Sequence, residues 1–401
     1  MPKQELSITS ILGGISPTAY FGADDSYIGA LGIDPDFPTT ASAVRASGLI
    51  MPTRYETFSS TSVATAPKWI VTNPKDTKVY VYLDNGAALT YTSALASETA
   101  LTTPTSGAGN GCHYYNNYNY YATPTDVARY GPLDGAPAMT QTVWTGSTLG
   151  TQPSLINSTY PTLQGVAIPN HSMHVHTDNV LYFCDYNTTA NPGKGSIHKI
   201  KTKKVTAEGD TNDGSDNDVL ALPFGFRPVD LESFNTDLAI LAIQTSDTTI
   251  NQGKAALFLW DTTSISFYAQ IAIPDPIATA LLNVNGVLHI WSGNSSNGVR
   301  LSRYTGGYGV NTVVYQEEGT PPYSGAVDAF GDRISWGGWT SYPESAGVVW
   351  SYGSKDSRLP QNVSCNVRTK SGTSTPNVTA IKYALQANNI QPRLITGWRN
   401  Q

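Results

Sequence analysis

The chain has 401 residues, 13% of them charged and 40% hydrophobic, with a net charge of −6. That balance supplies no general attraction of the whole molecule to nucleic acid, and no sequence-specific nucleic-acid partner is expected. No stretch approaches the ~20 apolar residues of a membrane helix, and Cys112, Cys184 and Cys365 are too few and too scattered for a disulfide framework, so they read as reduced, buried thiols.

From the N-terminus, Met1-Pro2-Lys3-Gln4-Glu5 opens without an apolar leader core, which predicts synthesis in the cytoplasm without a cleaved signal. Residues 1–45 are punctuated every few positions, at Gly13-Gly14-Ile15-Ser16-Pro17, Gly22-Ala23-Asp24-Asp25 and Asp34-Pro35-Asp36-Phe37-Pro38. They leave no run long enough for a regular element and predict an extended arm. Its Tyr20, Phe21, Tyr27, Ile28 and Ile33 need a surface to cover, on this chain or on a neighbouring subunit. Residues 46–401 form the second unit, with Gly48 to Phe58 as its expected first strand.

From Lys68 onward one pattern recurs: a turn rich in Asn, Asp or Gly, an apolar strand, a polar loop and a second strand. The pairs are Lys78 to Leu83 with Ala88 to Tyr91, Tyr115 to Ala122 with Asp126 to Tyr130, and Asn179 to Tyr186 with Gly195 to Lys201. Three more follow: Leu238 to Gln244 with Lys254 to Trp260, Val287 to Trp291 with Gly298 to Tyr304, and Asp332 to Trp339 with Gly347 to Tyr352. Taking Tyr80, Tyr120, Phe183, Leu241, Ile290 and Trp336 as anchors, the spacings are 40, 63, 58, 49 and 46 residues. Such spacings suit propeller blades of ~40 to 50 residues, the longer ones carrying loop insertions. The stretch Leu281 to Tyr315 holds a complete four-stranded unit. A blade cannot bury both its faces alone, so the units must stack around an axis and close.

The expected fold is therefore all-β: a six- or seven-bladed β-propeller with an extended N-terminal arm. With 36 Gly, 25 Pro and abundant Ser, Thr, Asn and Tyr, the composition agrees. Asn377 to Asn388 fits either a helix or a strand, because Val378, Ile381 and Leu385 have helical spacing while Val378, Thr379, Ile381 and Tyr383 favour extended backbone. The tail from Ile390 to Gln401 is placed to supply a strand closing the ring against an N-terminal blade.

Several segments of the first hundred residues resemble the start of tailed-bacteriophage virion proteins. They are Gly13-Gly14-Ile15-Ser16 with Tyr20-Phe21-Gly22, Gly32-Ile33-Asp34-Pro35-Asp36, and Ala46-Ser47-Gly48-Leu49-Ile50-Met51-Pro52. The repeat array is likewise similar to propeller-bearing tail proteins. The resemblance implies a structural virion component in the tail or adsorption apparatus, such as a nozzle, hub or ring, whose partners are other virion proteins and further copies of itself.

Candidate chemistry is sparse. His174 and His176 would share a strand face at a spacing two zinc ligands can use, with His171, His198 or Cys184 nearby, but only Asp178 is at hand to orient them, and packed polar histidines are the preferred reading. Asp210 to Asp218 is rich in carboxylates, yet Gly214 sets them out of register with a calcium loop. Lys199, Lys201 and Lys203 would project from one strand face, either as a guarded sheet edge or as a basic lining of a channel that passes DNA. Tyr114, Tyr118, Trp336 and Trp339 are the aromatic candidates for a host-surface glycan or a partner, against the alternative that they are core between blades. No nucleophile elbow, phosphate loop or dinucleotide fingerprint occurs, and no pair of carboxylates stands out as acid and nucleophile. The expectation is thus a non-enzymatic structural propeller without metal or cofactor, a carbohydrate-binding receptor protein being the alternative and a glycan-cleaving enzyme third.

Overall fold

The computed structural model describes residues 33–34, 48–49, 63–73, 78–92, 95, 98–104, 111–123, 126–145, 171–187, 194–200, 220–244, 254–293, 298–316, 321–340, 346–353, 363–370, 377–384 and 393–399. The chain is an all-β propeller. Six antiparallel four-stranded sheets follow one another in sequence, each a simple meander, and a two-stranded sheet comes last. Blades one to six span 67–100, 112–145, 173–221, 226–273, 277–316 and 327–370, and the closing hairpin joins Asn377–Ala384 to Arg393–Arg399.

The first strand of every blade is innermost. These are β1 (Pro67–Thr72), β2 (Cys112–Tyr115), β3 (Met173–Val175), β4 (Phe226–Phe234), β5 (Ile277–Val284), β6 (Val327–Phe330) and β7 (Asn377–Ala384). Each touches the next, and β7 touches β1, so the inner strands form a closed ring around the axis. The six strand pairs found in the sequence are the second and third strands of the six blades. Asn377 to Asn388 resolves in favour of a strand, over Asn377–Ala384. The tail strand Arg393–Arg399 pairs with its own neighbour in sequence, so the hairpin closes the ring by packing its face on β1.

Those second strands are mostly apolar, most clearly Asp237–Gln244 of blade four, because neighbouring blades cover both of their faces. In blade four, Leu238, Ile240 and Ala242 join a cluster with Tyr182, Cys184 and Ile197 of blade three. The alternate residues Ala239, Leu241 and Ile243 join Leu288, Ile290 and Tyr304 of blade five. The period of two along a strand thus places one set of side chains in each flanking seam. Further clusters fill the other five seams, including those on either side of the hairpin.

Four inner strands carry the same irregularity, a one-residue bulge at Lys68, Val229, Thr279 and Thr379. A bulge sharpens twist and bends the strand, and its recurrence gives these blades a common turn toward the axis. The first expected strand is shifted: Gly48–Leu49 pairs with Ile33–Asp34 in a separate two-stranded ladder, and the described blades begin at Pro67. The rest of the arm, and the remainder of Gly48 to Phe58, lie outside the described residues.

Candidate functional site

In an antiparallel meander the turns between strands one and two and between strands three and four lie on one face. Here that turn face is stitched from blade to blade. Asn117 donates to Asp134 within blade two, the Tyr115 hydroxyl donates to the Asn179 carbonyl (2.6 Å), and His176 Nε2 meets the Thr236 carbonyl (3.1 Å). Tyr268 donates to Asp237, Phe234 packs on Tyr304 with ring centroids 5.2 Å apart, and Asn285 donates to Asp332.

Just inside this face the inner strands present a ring of equivalent positions. Tyr115, Phe234, Val284 and Phe330 each precede a two-residue turn, and His113, Glu232, Leu282 and Asp328 stand two residues before them. The shared bulge aligns Lys382 and Val71 with Glu232. In blade three His176 N–H bonds the Val180 carbonyl to close a wider turn, which puts His174 in the same place. Five of these seven positions are therefore titratable.

They reach across the seams. The His113 and His174 rings lie 6.1 Å apart, edge to face. His174 Nε2 is 3.3 Å from Glu232 Oε1 and 2.8 Å from Ser233 Oγ. Across the seam between blade six and the hairpin Lys382 Nζ donates to Asp328 Oδ1 (3.2 Å), and the Tyr383 amide donates to Asp328 Oδ2 (2.7 Å). Enclosure by protein pushes Glu232 up to about 7, opposed by amide donors and by the Lys382 charge. It pulls His174 down to about 3 and His113 down to about 4, so both imidazoles are neutral at physiological pH.

The hydrogen-bond chain fixes the tautomers. The Thr236 carbonyl requires a proton on His176 Nε2, which leaves Nδ1 to accept from the Ser233 hydroxyl at 2.9 Å. Ser233 Oγ then accepts from His174 Nε2–H, which is shared with Glu232 Oε1. The serine hydroxyl is tied on both sides, and carboxylate and hydroxyl meet the same nitrogen of His174. In a nucleophile-activating triad the acid instead holds the opposite ring nitrogen.

The histidines singled out in the sequence therefore divide. His174 and His176 converge on Ser233, whereas His171 Nδ1 donates to the Cys184 carbonyl (2.8 Å) and His198 Nε2 meets Asp185 (3.1 Å) in a separate buried group. Among the described residues no three His, Cys, Asp or Glu side chains are grouped to hold a metal ion. Cys112 and Cys184 are buried free thiols, the side chain of Cys365 lies outside the described residues, and Asp210 to Asp218 lies outside them altogether.

The aromatic and lysine candidates need correction. Trp336, 1% exposed, is core: its ring packs 5.9 Å from that of Trp291 in the seam between blades five and six, which leaves no face for a sugar. Tyr114 and Tyr118 are half-buried in the seams flanking blade two, the latter beneath the Arg129 guanidinium at 4.5 Å, and Trp339 is half-buried on the second strand of blade six. Lys199, 5% exposed, lies on the third strand of blade three with a strand on either side, so it neither guards a sheet edge nor offers its charge to a channel. Lys201 and Lys203 lie outside the described residues. The large apolar side chains that do reach solvent on the turn face are Ile265, Tyr268, Tyr308 and Phe330, spread over blades four to six.

Sequence reasoning missed the axial ring. Its one local signal is a titratable residue three positions before an inner-strand turn such as Asn116-Asn117, Asn235-Thr236 or Gly331-Asp332. No protein-family model matches the chain, and no curated protein matches it. Among solved structures the Neurospora crassa Pan2 WD40 domain is similar, with a TM-score of 0.48 and 10% identity over 84% of this chain and 90% of that one.

Proposed function

We propose that this propeller is a structural component of a bacteriophage virion, in the tail or adsorption apparatus, working through contacts with its own copies and with other virion proteins and not through catalysis. The virion assignment rests on the resemblance of the N-terminal segments described above. The observation that carries the contact role is the row of exposed Ile265, Tyr268, Tyr308 and Phe330 on the stitched turn face. Apolar side chains fixed on neighbouring rigid turns give a partner a surface that loses little entropy on binding.

Mass measurement in solution tests the first half: wild-type protein forms an oligomer, and Tyr308→Asp with Phe330→Asp shifts it toward the monomer. Labelling of purified phage particles with an antibody to the chain tests the second. A protein that stays monomeric at high concentration and is absent from particles would overturn the proposal. Carbohydrate recognition is the second reading, favoured by the exposed Tyr268 and Tyr308 rings in place of the buried Trp336. Glycan-array binding lost on Tyr308→Ala, with assembly intact, would establish it.

A further inference from the structure

Ile265, Tyr268, Tyr308 and Phe330 are exposed on turns that are joined to one another. The Tyr268 hydroxyl donates to Asp237 at the far end of the turn after β4, and the Phe234 ring before that turn packs on Tyr304 of blade five. The Tyr304 hydroxyl in turn accepts from the Gly307 amide (3.3 Å) and donates to the Gly307 carbonyl (3.2 Å), beside Tyr308. Further round, Asn285 of blade five donates to Asp332, in the turn that follows Phe330. These contacts make one continuous surface across blades four, five and six.

The charge on that surface is unbalanced. Asp237, Asp261 and Asp332 are partly exposed and accept only from neutral donors: the Tyr268 hydroxyl, the Thr263 and Ser264 groups, and the Asn285 amide. None of the three has a cationic partner among the described residues. In the same sector Lys382 is held by Asp328, and Arg333 has a partner of its own. Asp134 and Asp178 carry the same sign onto the turns of blades two and three.

We propose that this face docks a basic segment of another protein, which sets lysines or arginines against Asp237, Asp261 and Asp332 while its apolar side chains cover Tyr308 and its neighbours. The proposal rests on the contact role given to the face above and names the occupant. A carboxylate bonded to neutral donors keeps its charge, so each Asp takes a cation at the rim while the rings supply an apolar centre. Tyrosine faces themselves attract ammonium and guanidinium groups. A second copy docked face to face would set the same carboxylates against each other, which disfavours a two-fold contact through this surface.

The test uses the whole protein and a fluorescein-labelled peptide of alternating lysine and leucine, followed by fluorescence anisotropy, with a glutamate and leucine peptide beside it. Wild-type protein binds the first and not the second. Asp261→Asn and Asp332→Asn each weaken binding about two- to fivefold, as loss of an exposed ion pair does, and added salt reduces that difference. Tyr308→Ala weakens it about tenfold. Asp84→Asn, in a turn on the opposite face, leaves it unchanged. Absence of binding, equal binding of the two peptides, or binding insensitive to the Asp261 and Asp332 variants overturns the proposal. An oligomer that Tyr308→Asp with Phe330→Asp dissolves, in a protein with no affinity for the lysine peptide, upholds the contact role and still overturns the basic occupant. Binding of the lysine peptide by a protein that stays monomeric upholds the basic occupant and removes self-association from this face.

Discussion

At the scale of single residues, the seams decide what each large side chain can do. Trp336 and Trp291 fill one seam together. Trp336→Ala should therefore cost about 3 to 5 kcal/mol in denaturant unfolding, as large aromatic truncations in a packed core do. It should leave any ligand binding of the folded protein unchanged. Asp230 offers a second case: it accepts from the Ser172 hydroxyl of blade three (2.5 Å) and the Leu281 amide of blade five (2.8 Å), tying three consecutive blades. Asp230→Ala strands both donors, and a loss of about 2 to 4 kcal/mol in the same assay is expected. Neither role shows in the sequence, because an Asp beside apolar residues or a Trp in a strand looks the same whether a neighbouring blade covers it or not. Tyr114, Tyr118, Trp336 and Trp339 were legible as aromatics that either meet a glycan or fill the space between blades, and burial decides for the latter at Trp336.

At the scale of elements, the hairpin is the weak point of the ring. It contributes two strands where the other sectors contribute four, and it meets blade six where the chain has no side chain to spare. A Cβ on Gly337 would lie 2.5 Å from the Val378 carbonyl oxygen, and one on Gly347 would lie 2.9 Å from the Trp398 ring. Gly337→Val should therefore push the hairpin outward at a cost of about 1 to 3 kcal/mol, and limited proteolysis should then cut first around residues 377–399. The recurring pair of second and third strands made the six blades legible, since most of these strands are rich in apolar or aromatic residues and are bounded by turn residues. The first strands were harder to find. Cys112–Tyr115 and Met173–Val175 are short and partly polar, and so give a weak strand signal.

At the scale of the whole molecule, the buried titratable groups set a pH window. Asp230 and Glu232 are both raised to about 7, so each favours folding most below its ordinary carboxylate value and loses that contribution as pH rises to about 7. His113 and His289 are lowered to about 4 and His174 to about 3, so their contribution is present above the ordinary value of 6.5 and is lost as pH falls toward 4 and 3. Between those limits four lowered histidines, His171 included, gain with rising pH while two carboxyl groups lose, and from 6.5 to about 7 only the carboxyl losses remain. Thermal melting across the pH range should show a maximum near 6.5, a long fall on the acid side and a short one that ends near pH 7 on the alkaline side. Glu232→Gln should shrink the alkaline fall and steepen the acid one.

The sequence by itself determined the all-β class and the repeat. Strand period, turn chemistry and spacing are local properties, and the two-faced burial of the second strands is written into their largely apolar composition, most plainly at Asp237–Gln244. Only the tertiary structure decided which strand lies at the axis, how a two-stranded hairpin fills the last sector, and that His113, His174, Glu232, Asp328 and Lys382 meet. Those residues are far apart in the chain and share no motif. What brings them together is closure of the ring, which sets equivalent positions of successive inner strands side by side and strips them of enough water to shift their protons.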